Sequence, residues 1–348
     1  MRKTSSHPSI SVVIATYNSE RTIGRCLANV RNQIYPQDKI EIIICDGGST
    51  DSTRQIAKQY KTQIISIDKR LQNAEYNKSI GLTKAKGEIF FLLDHDNIIP
   101  HRLWLKKMVQ PFVDNPEVVG VETLRYRYDK HTTLIDRYFA LFGAGDPIAW
   151  YLGKADRLSY LFEIYNLWGE AKDKGDYYLV KFSPKKIPTL GANGFLIRTK
   201  LLRDEAESRP GKFFHIDVNV DLIRKGFNTY AFVKDDILHL TGYGSVWYFL
   251  KRRMLFIEQF HLSKQNLSLQ KNRRYSVVES KDLWGVVFFR IISLTVVVPL
   301  WDSIKGWLKV RDSAWFLHPV LCFSFVVIYG WVIMRHQIGV YAKKLLDS

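Results

Sequence analysis

The feature that most constrains this chain is a series of short apolar runs, each closing on a polar or acidic residue. ISVVIAT (10–16) is a continuous, largely β-branched run, the composition of a strand buried on both faces. IEIIIC (40–45), QIISID (63–68) and EIFFLLD (88–94) repeat the pattern. Between them, residues 21–33 place Ile23, Leu27 and Val30 on one helical face, and 53–60 and 74–86 also read as helix. Strand and helix alternating at this spacing predict an α/β doubly wound sheet. Ligands of such sheets sit outside the carboxyl ends of the strands. Those ends carry Thr16, Asp46, Asp68 and Asp94.

The pattern changes after about residue 123. Up to 186 the chain is rich in aromatics and mixed charge, including Tyr138, Trp150, Tyr151 and Trp168. This stretch reads as an insertion of mostly helical segments over one side of the sheet. GANGFLIR (191–198) then returns to the core as a glycine-flanked strand, and the α/β domain is expected to span 9–245. A basic, interfacial helical segment is expected over 246–282. Two apolar stretches follow, 283–301 with the single charge Arg290 and 314–334 with none, ahead of a short tail at 335–348. Each stretch is long enough to cross about 30 Å of hydrocarbon, with tryptophans near the ends as interfacial anchors. Arg290 and Pro299 also allow the first to lie in the interface or form a re-entrant hairpin.

Charge bears on partners. The net charge is +17, yet residues 242–348 hold 15 Lys and Arg against 6 Asp and Glu, so about half the surplus lies beside the most apolar segments. That placement fits an anionic membrane surface, and no nucleic-acid-binding signature accompanies it. Cys26, Cys45 and Cys322 fit no metal spacing and no disulfide framework, which points to a reducing compartment. The start, MRKTSSHPSI, lacks an apolar core, so no cleaved signal peptide is expected.

The chemistry centres on Asp94-His95-Asp96. Two carboxylates one residue apart at a strand end can place one on a divalent cation and the other on the ligand beside it. A diphosphate needs such a cation to neutralise it as it leaves. Asp46 closes the neighbouring strand, where it could accept hydrogen bonds from a base or ribose. Gly47 and Gly48 permit close backbone approach, and the helix that follows favours anions at its N-terminus. An ordinary turn with a helix cap accounts for Ser49 and Asp51.

These motifs together resemble the family 2 glycosyltransferases, inverting enzymes with the nucleotide-sugar-binding, Rossmann-like GT-A fold. SVVIATYNSE is similar to their first-strand signature, IIICDGGSTDST to the second, and NAEYNKSIGLTKAKGEIFFLLDHDNIIP to the segment leading through the DxD strand. The resemblance covers about residues 9–120 and continues more loosely from 187 to 245. It implies that Thr16, Tyr17 and Glu20 line a uridine-type pocket, that Asp46 binds the base, and that Asn77 lies in the donor loop. It further implies that Asp94 touches ribose or sugar, that Asp96 holds Mn²⁺ or Mg²⁺, and that His239 helps hold metal or diphosphate. In the family an acidic pair deprotonates the acceptor hydroxyl. Here His215-Ile216-Asp217 stands in its place, which makes Asp217 the expected base, with Asp221 four residues on as the other acid. Lys251, Arg252 and Arg253 could face diphosphate, acceptor phosphate or lipid headgroups.

The expected protein is a GT-A domain facing the cytoplasm, tethered by a C-terminal helical membrane hairpin. It would take a nucleotide-diphosphate sugar, UDP-linked, and a lipid-linked acceptor, with no nucleic acid. Asp217 favours the hydroxyl of a lipid-linked saccharide; a polyprenyl phosphate, already ionised, is the alternative acceptor. A non-catalytic membrane scaffold of the same fold is the alternative of another class. A nucleotidyltransferase would carry a glycine-rich basic loop after the first strand, and TYNSERT lacks one.

Overall fold

The computed structural model describes residues 7–187, 189–257, 275 and 282–346. Its first third is the expected alternation of strands and helices: β1 (Ile10–Thr16), α1 (Glu20–Arg31), β2 (Ile40–Asp46), α2 (Thr53–Lys58), β3 (Gln63–Ser66), α3 (Ala74–Lys84) and β4 (Ile89–Leu92). β1 pairs in parallel with β2 and β4, and β2 with β3. β1 therefore lies inside the sheet with all seven residues buried, which is why ISVVIAT shows no alternation. Ile10, Val12 and Ile14 enter the apolar layer that also holds Ile23, Leu27 and Val30 of α1. Val13 points the other way, toward Leu82 of α3. Gly81 lets α3 lie this close, because a Cβ there would stand 2.4 Å from Val13 Cγ1 and 3.0 Å from Cys45 Sγ. The three cysteines are free and buried.

Beyond β4 come β5 (Asn97–Ile98), α4 (Trp104–Asp114), β6 (Gly120–Tyr126), α5 (Leu134–Phe142), α6 (Pro147–Tyr151), β7 (Glu170–Asp173), β8 (Tyr177–Lys181), β9 (Phe195–Arg198), α7 (Thr199–Asp204), α8 (His215–Arg224) and β10 (Thr229–His239). The strand order among the described residues is β3-β2-β1-β4-β9-β6-β10-β8-β7, with β5 pairing on β10. β9 runs antiparallel to both β4 and β6, so the sheet is parallel on one side and mixed on the other. The stretch 123–186, expected to be mostly helical, is so only at α5 and α6. Thr123–Tyr126 complete the buried strand β6, and β8 pairs with β10. The reason is aromatic: Tyr178, Phe182, Tyr165 and Phe232 pack one apolar layer, which ties this stretch to the sheet.

The last elements are α9 (Val246–Ile257), α10 (Leu283–Thr295), α11 (Val297–Lys309) and α12 (Leu317–Leu346). The expected basic segment 246–282 is helical as far as Ile257; residues 258–274 and 276–281 lie outside those described. The apolar stretch 283–301 is not one helix. α10 and α11 meet at 79° across Val296, which takes a left-handed φ of 64°, a conformation a β-branched residue rarely accepts. The second stretch is continuous: Ser313–Ile338 is long and apolar enough to cross a membrane, and the helix runs on through the expected tail to Leu346. Its buried side packs on α5 and α6, with Trp315, Leu321 and Phe325 against Tyr138 and Phe142. Asp312 fixes the entry to this helix, accepting from Tyr128 Oη at 2.6 Å and pairing with Arg137 at 3.0 Å. The outward sides of α10, α11 and α12 expose Trp284, Ile291, Val297, Trp301, Val327 and Trp331.

Candidate active site at the carboxyl ends of the strands

Two clusters form where β1, β2 and β4 end. In the first, Asp46 is wholly buried. Its Oδ1 accepts from Thr16 Oγ1 at 3.0 Å and Ser49 Oγ at 2.5 Å, and its Oδ2 from Ser49 N at 3.1 Å. The register of the parallel pair, Thr16 opposite Asp46, sets the first of these contacts. Asn77, from α3, donates to Cys45 O at 3.3 Å, while its buried Oδ1 has no partner among the described residues. Gly47 makes room above it, since a Cβ there would meet Gln72 Cγ at 2.1 Å. Tyr17 is exposed at the rim. Glu20 turns to the next loop instead, accepting from Ser52 N at 3.0 Å. Ser49 and Asp51 hold the turn, Asp51 accepting from Thr53 N and Glu20 N. Asp68 is engaged locally by Arg70.

The second cluster surrounds Asp94 and Asp96. Asp94 Oδ1 lies 2.8 Å from Lys78 Nζ, and Lys78 also stands 3.8 Å from Glu75 Oε1. Glu75 in turn accepts from His215 N at 2.9 Å and faces His215 Nδ1 at 2.9 Å. A chain of polar contacts thus runs Asp94–Lys78–Glu75–His215 across α3 and α8. Burial would raise the Glu75 carboxyl, but His215 and Lys78 outweigh it and hold the group down at about 2. Burial would likewise lower Lys78, and Asp94 and Glu75 reverse that, keeping the ammonium charged.

Asp96 meets His239 because β5 pairs with β10, placing Asn97 opposite His239. His239 Nε2 is 3.6 Å from Asp96 Oδ2, and its buried Nδ1 has no partner among the described residues. Burial raises Asp96, but His239 and His95 bring it below its ordinary value; burial lowers His239, and Asp96 brings it above. Asn97 braces the loop by accepting from Asp94 N at 3.1 Å and donating to Asn193 Oδ1 at 3.1 Å. Among the described residues no three His, Cys, Asp or Glu side chains converge to hold an ion alone. Asp96 with His239 fits the other mode of binding Mg²⁺ or Mn²⁺, in which one or two side chains hold the ion and substrate phosphates and water complete it.

Glu75, Lys78 and Arg157 were not read from the sequence as parts of the site. Arg157 is completely buried, and donates to Glu122 Oε2 at 2.6 Å and to the carbonyls of Ala192 and Asn193 at 3.1 Å each. It thereby pins the loop that carries Asn193. Asp217 is also wholly buried, in the first turn of α8. His215, two residues earlier, lines a cavity beside Ala192 that Asp217 does not reach.

Residues 11–162 match the model of Glycosyl transferase family 2. The match takes in β2 to α6 and, with them, Thr16, Asp46, Asn77, Asp94 and Asp96. The chain is 32% identical over 139 residues to glycosyltransferase AglE of Haloferax volcanii, covering 39% of this chain and 45% of that protein. It is also 32% identical over 123 residues to a dolichyl N-acetyl-alpha-D-glucosaminyl phosphate 3-beta-D-2,3-diacetamido-2,3-dideoxy-beta-D-glucuronosyltransferase of Methanococcus voltae, covering 32% of this chain and 37% of that one. The matched part is thus less than half the length of these relatives. A solved mannosyltransferase, PcManGT from Pyrobaculum calidifontis in complex with GDP-Man and Mn²⁺, aligns over 98% of this chain and 88% of its own at 16% identity and a TM-score of 0.48.

Proposed function

We propose that the protein is a membrane-associated, inverting glycosyltransferase that moves a sugar from a UDP-linked donor to the hydroxyl of a lipid-linked saccharide. The observation that carries this reading is the pairing of Asp94 with Lys78 and of Asp96 with His239 at the end of β4. Thr16, Tyr17, Asp46 and Asn77 form the nucleoside end, and Asp94, held by Lys78, receives ribose or sugar. Asp96 and His239 are the residues that would hold Mn²⁺ or Mg²⁺, whose charge offsets that of the departing diphosphate.

The acceptor oxygen bonds to the anomeric carbon as the bond from that carbon to the diphosphate oxygen breaks, which inverts the centre. The hydroxyl proton needs a base beside it. Asp217, expected for this role, is sealed in α8. His215 opens on the cavity, and a Nδ1–H bond to Glu75 leaves Nε2 as the acceptor of the proton. Glu75 then orients the ring and offsets the charge it gains, while Ala192 and Ile216 close the cavity around it.

The outward apolar faces of α10 to α12 and the helix Ser313–Ile338 support membrane association; in the proposed arrangement the sheet domain lies on the cytoplasmic side. The test is transfer itself: a panel of radiolabelled nucleotide-sugars incubated with the full chain, Mn²⁺ and a membrane lipid extract. Label from a UDP-sugar should enter the organic phase with the wild type and not with Asp96→Asn. Equal labelling by both proteins would sink the proposal.

A further inference from the structure

A cavity of about 610 Å³ extends away from the site just described, within the size range of ligand pockets. Its inner end is formed by Ala192, Asp156 and His215, and Phe139, which packs on His239 with ring centroids 6.1 Å apart, lies along it. The outer end runs between α10 and α12, at Val286, Phe289, Val326 and Ile333. One void therefore connects the loop beside Asn97 and Asp96 to the helices with the most exposed apolar surface.

Two arginines stand along it. Arg253 of α9 donates to Asp146 Oδ2 at 2.6 Å and to Tyr329 Oη at 3.3 Å, yet its Nε is buried with no partner among the described residues. Arg290 is the charge that interrupts apolar α10; it borders the cavity and has no ion-pair partner among the described residues. A charge in such a helix, facing a cavity, marks a place where an opposite charge is bound. The cavity also holds two acids. Asp146 is engaged by Arg253 and by Tyr329 Oη at 2.7 Å, and Asp156 accepts from Tyr126 Oη. Asp156 lies at the inner end beside His215, so an anion is repelled there and favoured at the arginines, nearer the helices.

We propose that this cavity is the acceptor site and takes a phosphate-linked lipid saccharide. The phosphate lies on Arg253 Nε and Arg290, the hydrocarbon chain leaves between α10 and α12 into the bilayer, and the uncharged saccharide reaches inward to His215. Guanidinium forks suit phosphate oxygens. The apolar outer lining suits a chain that water would expel. The inference rests on the proposed transferase reading and assigns the acceptor half of that same site.

Gly330 gives a clean way to block the outer end. It lines the cavity, and a Cβ built on it meets nothing within 4 Å, so Gly330→Leu puts a side chain into the void without displacing backbone. The full chain in detergent is titrated with farnesyl phosphate, with farnesol and inorganic phosphate as controls, and separately with UDP plus Mn²⁺. Farnesyl phosphate should bind the wild type well above either control. Arg290→Gln, losing a charge-assisted contact, and Gly330→Leu should each weaken it by about tenfold or more, while UDP binding stays at the wild-type level and reports a folded protein. Equal binding of farnesyl phosphate by the wild type and both variants, or equal binding of farnesol, would overturn the acceptor site. A wild type that binds farnesyl phosphate as expected but no UDP would leave this site standing and remove the donor reading.

Discussion

Replacing Lys78 with methionine tests the chain of polar contacts that joins the donor side of the site to the acceptor side. Lys78 is 3% exposed, with Nζ 2.8 Å from Asp94 and 3.8 Å from Glu75. Methionine keeps the length and apolar stem of the side chain, so packing along α3 changes little and the loss is that of the charge. Breaking a buried pair from one side costs about 3–5 kcal/mol, because the partner is left uncompensated. The Asp94 side chain is 25% exposed and keeps part of its hydration, which places the cost near the low end, about 3 kcal/mol. At about 2–4 °C per kcal/mol for a domain of this size, the melting temperature should fall by roughly 6–12 °C. Thermal unfolding in detergent at neutral pH measures it. Adding Asp94→Asn removes the stranded charge, so the double variant should recover a large part of the loss rather than add to it. A Lys78→Met protein as stable as the wild type, or a double variant whose losses simply add, would refute the argument.

Three further outcomes follow from the same geometry. The Glu75 carboxyl is held at about 2 against an ordinary 4.5, so its contribution is fully present above pH 4.5 and is lost as pH falls toward 2. Acid titration of stability should be flatter over that window in Glu75→Gln than in the wild type. Arg157→Met strands Glu122 in the interior and frees the carbonyls of Ala192 and Asn193, and should cost about 3–5 kcal/mol in chemical denaturation; a loss under about 1 kcal/mol would show that the pair is not structural. His215→Ala should lower kcat for a hydroxyl acceptor by about 10²–10⁴ with donor binding retained, whereas Asp217→Asn, measured per folded protein, should not slow the chemical step. The opposite ranking would return the base role to Asp217.

The parallel half of the sheet could be read from the chain because its strands are buried on both faces. ISVVIAT, IEIIIC and EIFFLL each declare themselves by composition, and their ends deliver Asp46, Asp94 and Asp96 with them. The mixed half was less legible. β6 and β8 carry arginine, glutamate and tyrosine, whose burial depends on partners such as Arg157 that only the folded chain supplies. Glu75 and Lys78 sit in a helix that the sequence marks only as a helix, and their meaning comes from Asp94 and His215, distant in sequence. His239 reaches Asp96 through β5, a strand of two residues, too short to carry a pattern. The break at Val296 has no glycine to announce it, and Pro299 three residues on was the available hint. His215 stood in the motif from the start. What makes it the proposed base is its placement, open on the cavity and tied to Glu75 while Asp217 is buried.

The central claim is that the acids closing β4 form a metal-dependent site for a nucleotide diphosphate. Calorimetric titration of UDP into the full chain, with Mn²⁺ and then with chelator, tests it most directly. Binding should require Mn²⁺ in the wild type, and should be lost in Asp96→Asn even with the ion present. UDP binding that is indifferent both to the metal and to Asp96 would contradict the account.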